Sequence, residues 1–262
     1  MSVLKRNNVH VKGTGTSPMM FAHGFGCDQN MWRLVVPAFE QSHQIILFDH
    51  VGAGLSDLTA YNPSKYEELD GYAMDILEIA NTLQLKDVIF VGHSVSAIMG
   101  ILAAAKSPEL FRALVLVSPS PCYINDGDYI GGFSRIEIGE LLTSLDTNHM
   151  GWSMTMAPLI MANADRAELS EELTNSFCRT DPTIAKQFAR ATFLTDSRSI
   201  LPDCKTPALI LQCSDDIIAP VSVGEFMHKE MPNSELVILE ATGHCPHLSA
   251  PEETITAIQN FL

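Results

Sequence analysis

The chain has 262 residues, enough for one large α/β domain with a sizeable core or for two small ones. Its formal charge of −15, from 31 acidic and 16 basic residues, argues against a nucleic-acid backbone or an anionic membrane as the main partner. No apolar run approaches the roughly 20 residues of a membrane span, and the first six residues lack the apolar core of a signal peptide, so a cytoplasmic protein is expected. In chain order, residues 9–12 read as a short edge strand followed by a turn at 14–18. Residues 19–22 form a second strand that runs into His23-Gly24-Phe25-Gly26, and 44–48 a third that ends at Asp49. Helical period appears over 69–83, with Tyr72, Ala73, Ile76, Leu77, Ala80 and Leu83 on one apolar face. The apolar run 88–91 then turns at Gly92-His93-Ser94-Val95-Ser96 into a strong helix former. Another buried strand covers 113–117 and closes on Ser118-Pro119-Ser120-Pro121. From about 129 to 199 the pattern is helical, broken by Gly151, Pro158 and Pro182. Strands resume at 208–212 and 236–239, and 251–262 reads as a closing helix.

Short, wholly apolar strands separated by helices predict a mostly parallel sheet covered on both faces. The helical interval is then an insertion over the C-terminal edge of the sheet, where ligands bind in such folds. One α/β domain is expected, with a core at 1–123 and 200–262 and a helical lid over about 124–199.

A strand that turns at once into a helix around Gly-x-Ser is the context of a nucleophile elbow, with Ser94 raised above the sheet. Ser96 stands where the general pattern has a second glycine. A serine nucleophile needs a base to take its proton and an acid to orient the base. In sheets of this kind the chain order is serine, acid, histidine. His244 meets that order, because it follows Thr242-Gly243 just past the last strand and the glycine lets the backbone turn toward the elbow. His10 and His43 flank edge or surface segments, His149 and His228 lie in polar helical stretches, and His50 begins a loop. His23 and His247 read as hydrogen-bonded structural residues.

The acid is Asp215 or Asp216; after the 113–117 strand the first acidic residue is the more distant Asp126. Spacing alone does not choose within the pair. Asp216, four residues before Pro220, is preferred, and Asp215 would then face solvent or cap the loop. The developing oxyanion needs backbone N–H donors, for which the candidates are Val95, directly after the serine, and Phe25 in the early glycine-flanked turn. Gly52-Ala53-Gly54 lacks the third glycine of a dinucleotide loop and reads as a tight turn. The six cysteines form no CxxC pair and His244 and His247 have no distant partner set, so neither a metal nor a cofactor is expected.

With these residues assembled, the chain resembles the α/β-hydrolase superfamily along its whole length. Within it the chain is similar to the RsbQ-type energy-stress regulators of bacteria and the plant strigolactone and karrikin receptors. The stretches that carry this are His23-Gly24-Phe25-Gly26-Cys27-Asp28-Gln29, Leu69-Asp70-Gly71-Tyr72-Ala73, Gly92-His93-Ser94-Val95, and the run from Ser118 to Asp126. Gly131-Gly132-Phe133, Thr180-Asp181-Pro182 and Gly243-His244-Cys245-Pro246-His247 add to them, and Ser96 matches the receptor branch. The resemblance implies a four-helix lid over a hydrophobic pocket faced by Phe25, Phe133, Trp152, Met156 and Phe193. It also implies slow hydrolysis of a small apolar ester or lactone, coupled in the bacterial branch to a partner phosphatase that controls a stress sigma factor. A metabolic carboxylesterase, lactonase or C–C bond hydrolase without a signalling partner is the alternative.

Overall fold

The computed structural model describes residues 2–262. Its strands are β1 (His10–Lys12), β2 (Ser17–Ala22), β3 (His43–Leu47), β4 (Val88–His93), β5 (Phe111–Val117), β6 (Ala208–Asp215) and β7 (Ser234–Thr242). They form one sheet in the order β1-β3-β2-β4-β5-β6-β7. Only β1 runs antiparallel, against β3; every other pair is parallel. Each predicted strand is present: β2, β4, β5, β6 and β7 run two to five residues longer than expected, β3 is shifted by one residue, and β1 is one residue shorter.

The helices are α1 (Val3–Arg6), α2 (Leu69–Thr82), α3 (Val95–Lys106), α4 (Arg135–Thr147), α5 (His149–Met161), α6 (Ala167–Arg179), α7 (Pro182–Phe193), α8 (Val221–Glu230), α9 (Pro246–Ser249) and α10 (Pro251–Phe261). None is long and apolar enough to cross a membrane among the described residues. One face of the sheet packs on α2, α3 and α8 through Tyr72, Ile76, Ile98, Val223 and Met227. The other meets α10 and two single-turn helices through Trp32, Val36, Ile255 and Ile258. Central strands are therefore buried on both sides, which is why Val88, Ile89, Phe90 and Val91 are apolar without alternation. Each such side chain contributes about 1.5–3 kcal/mol through burial.

Helices α4 to α7 lie between β5 and β6 and carry their own apolar cluster, including Leu142, Trp152, Leu173 and Phe193. Their starts are locally encoded. Ser134 and Glu137 form a reciprocal capping box on α4, Asn148 caps α5, and Asp181 accepts from the Thr183 and Ile184 N–H groups ahead of Pro182 in α7.

The segment ahead of β2 is tied to the core by buried charge. Asp75, fully buried on α2, accepts from Arg6 Nη2 at 2.8 Å and Lys65 Nζ at 2.5 Å. Tyr66 Oη donates to it at 2.8 Å as well. Asn7 links this cluster to the Asp49 carbonyl at the end of β3. The Asp49 carboxylate in turn accepts the Gln29 and Leu55 N–H groups at 2.9 Å, which fixes the loop leading away from Phe25.

Candidate active site

The elbow is built by close approach and strain. A Cβ at Gly92 would lie 2.7 Å from the Ser96 carbonyl group, so only glycine lets α3 start so close to β4. Ser94 has φ 55° and ψ −122°, a conformation rarely held by a residue with a side chain and characteristic of functional turns. Its N–H donates to the Val117 carbonyl at 2.8 Å, anchoring the strained turn to β5.

His244 and Asp216 meet this serine. The His244 Nε2 lies 2.7 Å from Ser94 Oγ, and its Nδ1 lies 2.7 Å from Asp216 Oδ2. A carboxylate only accepts, so Nδ1–H donates to Asp216 and Nε2 presents its lone pair to the serine hydroxyl. Asp216 is held in turn, because its Oδ1 accepts the Ile218 and Ala219 N–H groups at 2.8 and 3.2 Å. Asp215 offers only its carbonyl, to Gly243 N–H, while its side chain faces solvent. Asp126 pairs with Arg198 at 2.7 Å on the surface.

Val95 opens α3, so its N–H has no carbonyl acceptor within the helix, and it lies at the positive end of the helix dipole. The Phe25 N–H makes no backbone hydrogen bond among the described residues. Behind this turn lies a network that the sequence did not reveal. Ser96 Oγ donates to the His23 carbonyl at 2.5 Å, and His50 Nε2–H, 2.7 Å away, reaches Ser96 Oγ. His23 Nδ1–H donates to the Gly24 carbonyl at 2.9 Å, leaving Nε2 to accept the His50 N–H at 3.1 Å. The serine in place of glycine thus bonds the elbow helix to the turn that carries Phe25.

His23 is hydrogen-bonded as expected. His247 is not: both its ring nitrogens lack a partner, and the ring is held by Trp32 at 4.7 Å and His93 at 4.4 Å between centroids. Packing on aromatic faces does the work assigned to hydrogen bonds. His93, unremarked in the sequence, donates Nε2–H to the His244 carbonyl at 2.8 Å.

Ser94 and His244 open on a narrow, mostly apolar cavity of about 30 Å³, walled by Phe25, Phe193, Phe177, Tyr123 and Ile218. That is about one water molecule, against several hundred Å³ for an ordinary small-molecule site. Phe25 packs within 6.0 Å of Trp152, Phe177, Phe188 and Phe193 and closes the space. Of the residues expected to face the pocket, Phe25 and Phe193 do so; Phe133, Trp152 and Met156 do not line the cavity. Trp152 stacks on Phe177 at 5.5 Å and is screened by Phe25, and Met156 packs with it in the lid cluster. The Phe133 backbone is bonded to Tyr123 and Asn125, which sets it to one side. A much larger open groove of about 890 Å³ runs between α2 and α7, past Glu67, Glu68 and Arg190, but does not reach Ser94.

Two thiols, Cys27 and Cys245, share the cavity wall. Burial pushes both above the ordinary thiol value, so they stay protonated beside Ser94. Tyr123 Oη lies 3.5 Å from Ser94 Oγ, at the limit of hydrogen bonding, and burial pushes its pKa up to about 12. It is therefore a neutral donor facing the serine. Among the described residues no group of three or more His, Cys, Asp or Glu side chains could hold a metal ion.

Burial lowers the pKa of His23, His50, His93 and His247 below the ordinary 6.5, that of His247 to about 3. These rings are neutral in the folded chain and bind protons only on unfolding. Stability is therefore full above pH 6.5 and falls as the pH drops below it, because the unfolded chain binds protons at these rings that the folded chain does not. Thermal melts between pH 7.5 and 4.5 should show Tm falling progressively steeply below pH 6.5, and a flat Tm across that range would contradict this assignment.

A serine on a strained strand-to-helix turn of a parallel sheet, followed along the chain by a buried aspartate and a histidine, is the arrangement of the α/β class of hydrolases. The alpha/beta hydrolase family profile matches residues 19–257. The chain belongs to the alpha/beta hydrolase family. It is 36% identical to the strigolactone esterase D14 of Arabidopsis thaliana, over 100% of this chain and 98% of that one. It is 34% identical to the karrikin insensitive 2 receptor CA of Petunia hybrida, over 98% and 95%. Among solved structures, a hydrolase from Oleispira antarctica superposes with a TM-score of 0.97 at 43% identity, covering 99% of this chain and 95% of that one.

Proposed function

We propose that this protein is a slow serine hydrolase for a small hydrophobic ester or lactone and that it serves as a ligand sensor. Ser94 attacks the carbonyl carbon, His244 takes the hydroxyl proton and later returns it to the leaving oxygen, and Asp216 orients His244. The Phe25 and Val95 N–H groups stabilise the tetrahedral oxyanion. Water activated by His244 then releases the acyl group. The single observation that carries this reading is the 2.7 Å spacing on both sides of the His244 ring, opening on an apolar cavity.

Slow turnover and sensing are supported by the small cavity, too narrow for a ligand unless Phe25, Phe193 or their neighbours on α4 to α7 move. They are supported also by similarity to proteins named as a strigolactone esterase and a karrikin receptor. The core at 1–123 and 200–262 and the lid at 124–199 act as one domain in this reading. The partner that reads the lid is a phosphatase of a stress-response pathway, as the bacterial branch of the family implies.

The test is the turnover number on p-nitrophenyl esters and on γ-lactones, combined with affinity capture from host extract with and without substrate. A kcat below about 1 s⁻¹, under the enzyme median of about 10 s⁻¹, and a substrate-dependent phosphatase partner are expected. A kcat near 100 s⁻¹ without any partner would instead identify a metabolic carboxylesterase, lactonase or C–C bond hydrolase.

A further inference from the structure

His244 is fixed by four hydrogen bonds, and one of them comes from the lid. Its ring is held by Asp216 and Ser94, and its carbonyl accepts from His93, all core residues. Its own N–H donates 2.9 Å to the carbonyl of Ile160, in the last turn of α5. A helix end leaves its final carbonyls without partners; here one of them holds the backbone of the histidine beside Ser94.

The turn from α5 to α6 then crosses back onto the same loop. Asn163 Nδ2 donates to Met161 O within the turn and to Thr242 O at the end of β7, both at 2.8 Å. Arg166 Nη1 donates to Ser249 O at 2.8 Å, and its Nη2 to Asn163 Oδ1 at 2.5 Å. The segment between residues 242 and 249 is thus gripped before, at and after His244. A Cβ on Gly243 would collide with the Met161 carbonyl oxygen, so the lid packs directly on the loop backbone. The turn itself is strained: Ala162 has φ 51° and ψ −138°, and Asn163 has φ 54°. Such conformations cost about 1–3 kcal/mol each unless the surroundings impose them, and the Asn163 and Arg166 bonds impose them here.

We propose that Asn163 and Arg166 are positioning residues for His244, so that lid geometry at the α5–α6 turn sets the alignment of the histidine with Ser94. This rests on the reading of His244 as the base. Asn163→Gly removes the side-chain bridges while keeping a residue that tolerates positive φ, and Arg166→Gln removes the outer clasp. Arg190→Gln is the control; it breaks a lid ion pair to Asp146 between α4 and α7, away from the loop.

The measurements are kcat and KM on p-nitrophenyl acetate, Tm, and the far-downfield proton resonance of the His244–Asp216 hydrogen bond. Misalignment of a catalytic group by about 1 Å costs about 100-fold, so kcat should fall about 10- to 100-fold in Asn163→Gly and less in Arg166→Gln. KM should stay within about twofold, the downfield resonance should shift or broaden, and Arg190→Gln should match the wild type. If kcat and the resonance are unchanged in both variants, whatever happens to Tm, the turn fastens the lid and does not position His244. If Ser94→Ala or His244→Ala retains activity, the hydrolase reading itself fails; the resonance, which needs no turnover, still decides the positioning.

Discussion

Replacing Ser94 by alanine is expected to lower kcat on p-nitrophenyl acetate by about a million-fold, with the melting temperature within a few degrees of wild type. The size follows from the cooperation of the three side chains. His244 has a lone pair 2.7 Å from the hydroxyl and no other hydroxyl to deprotonate as close. The nearby alternatives are poor, because Tyr123 and the thiols of Cys27 and Cys245 all hold their protons more tightly than usual. Loss of less than tenfold would mean that another group carries the chemistry.

Asp216→Asn should lower kcat by about ten-thousand-fold, while Asp215→Asn stays within about twofold. An amide at position 216 can donate as well as accept, so it permits the tautomer of His244 in which Nδ1 is bare and Nε2 carries the proton. That imidazole cannot accept from Ser94, which is why the corresponding change in a serine protease has an effect of this size. Asp215 contributes a backbone carbonyl to Gly243, and an Asp-to-Asn change leaves that bond intact. Equal losses at the two positions would show that the effect is general to the loop. Parallel kinetics of the two variants, with KM reported separately, make the comparison.

The sheet was legible because its central strands are buried on both faces and therefore apolar without interruption, as at residues 88–91 and 113–117. The strained turn at Ser94, the place of His244 beside it and the turn at Phe25 were legible because chain order and glycines constrain them locally. The choice between Asp215 and Asp216 was not. It depends on the irregularity in the β6–β7 register between Cys213 and Asp215 and on the fact that successive strand residues face opposite ways. The cavity wall was read only in part for a similar reason. Phe133, Trp152 and Met156 share the helical insertion with Phe193, but which of them reaches Ser94 is settled by how Phe25 and Phe177 pack edge to face between them. Tyr123 was visible only as part of a motif, and its place beside Ser94 is a contact across 29 positions of sequence. His93 and Asn163 act through backbone carbonyls of distant residues, and no residue-type pattern marks such partners.

If Ser94 is the nucleophile, it becomes acylated during turnover. Acid-quenched intact mass spectrometry of the protein reacting with p-nitrophenyl acetate, followed by peptide mapping, tests it most directly. One acetyl group per chain, mapped to Ser94 and absent from Ser94→Ala, is the predicted result. An acetyl group mapped to Cys27, Cys245 or Tyr123, or turnover that persists in Ser94→Ala at the wild-type rate, would contradict it.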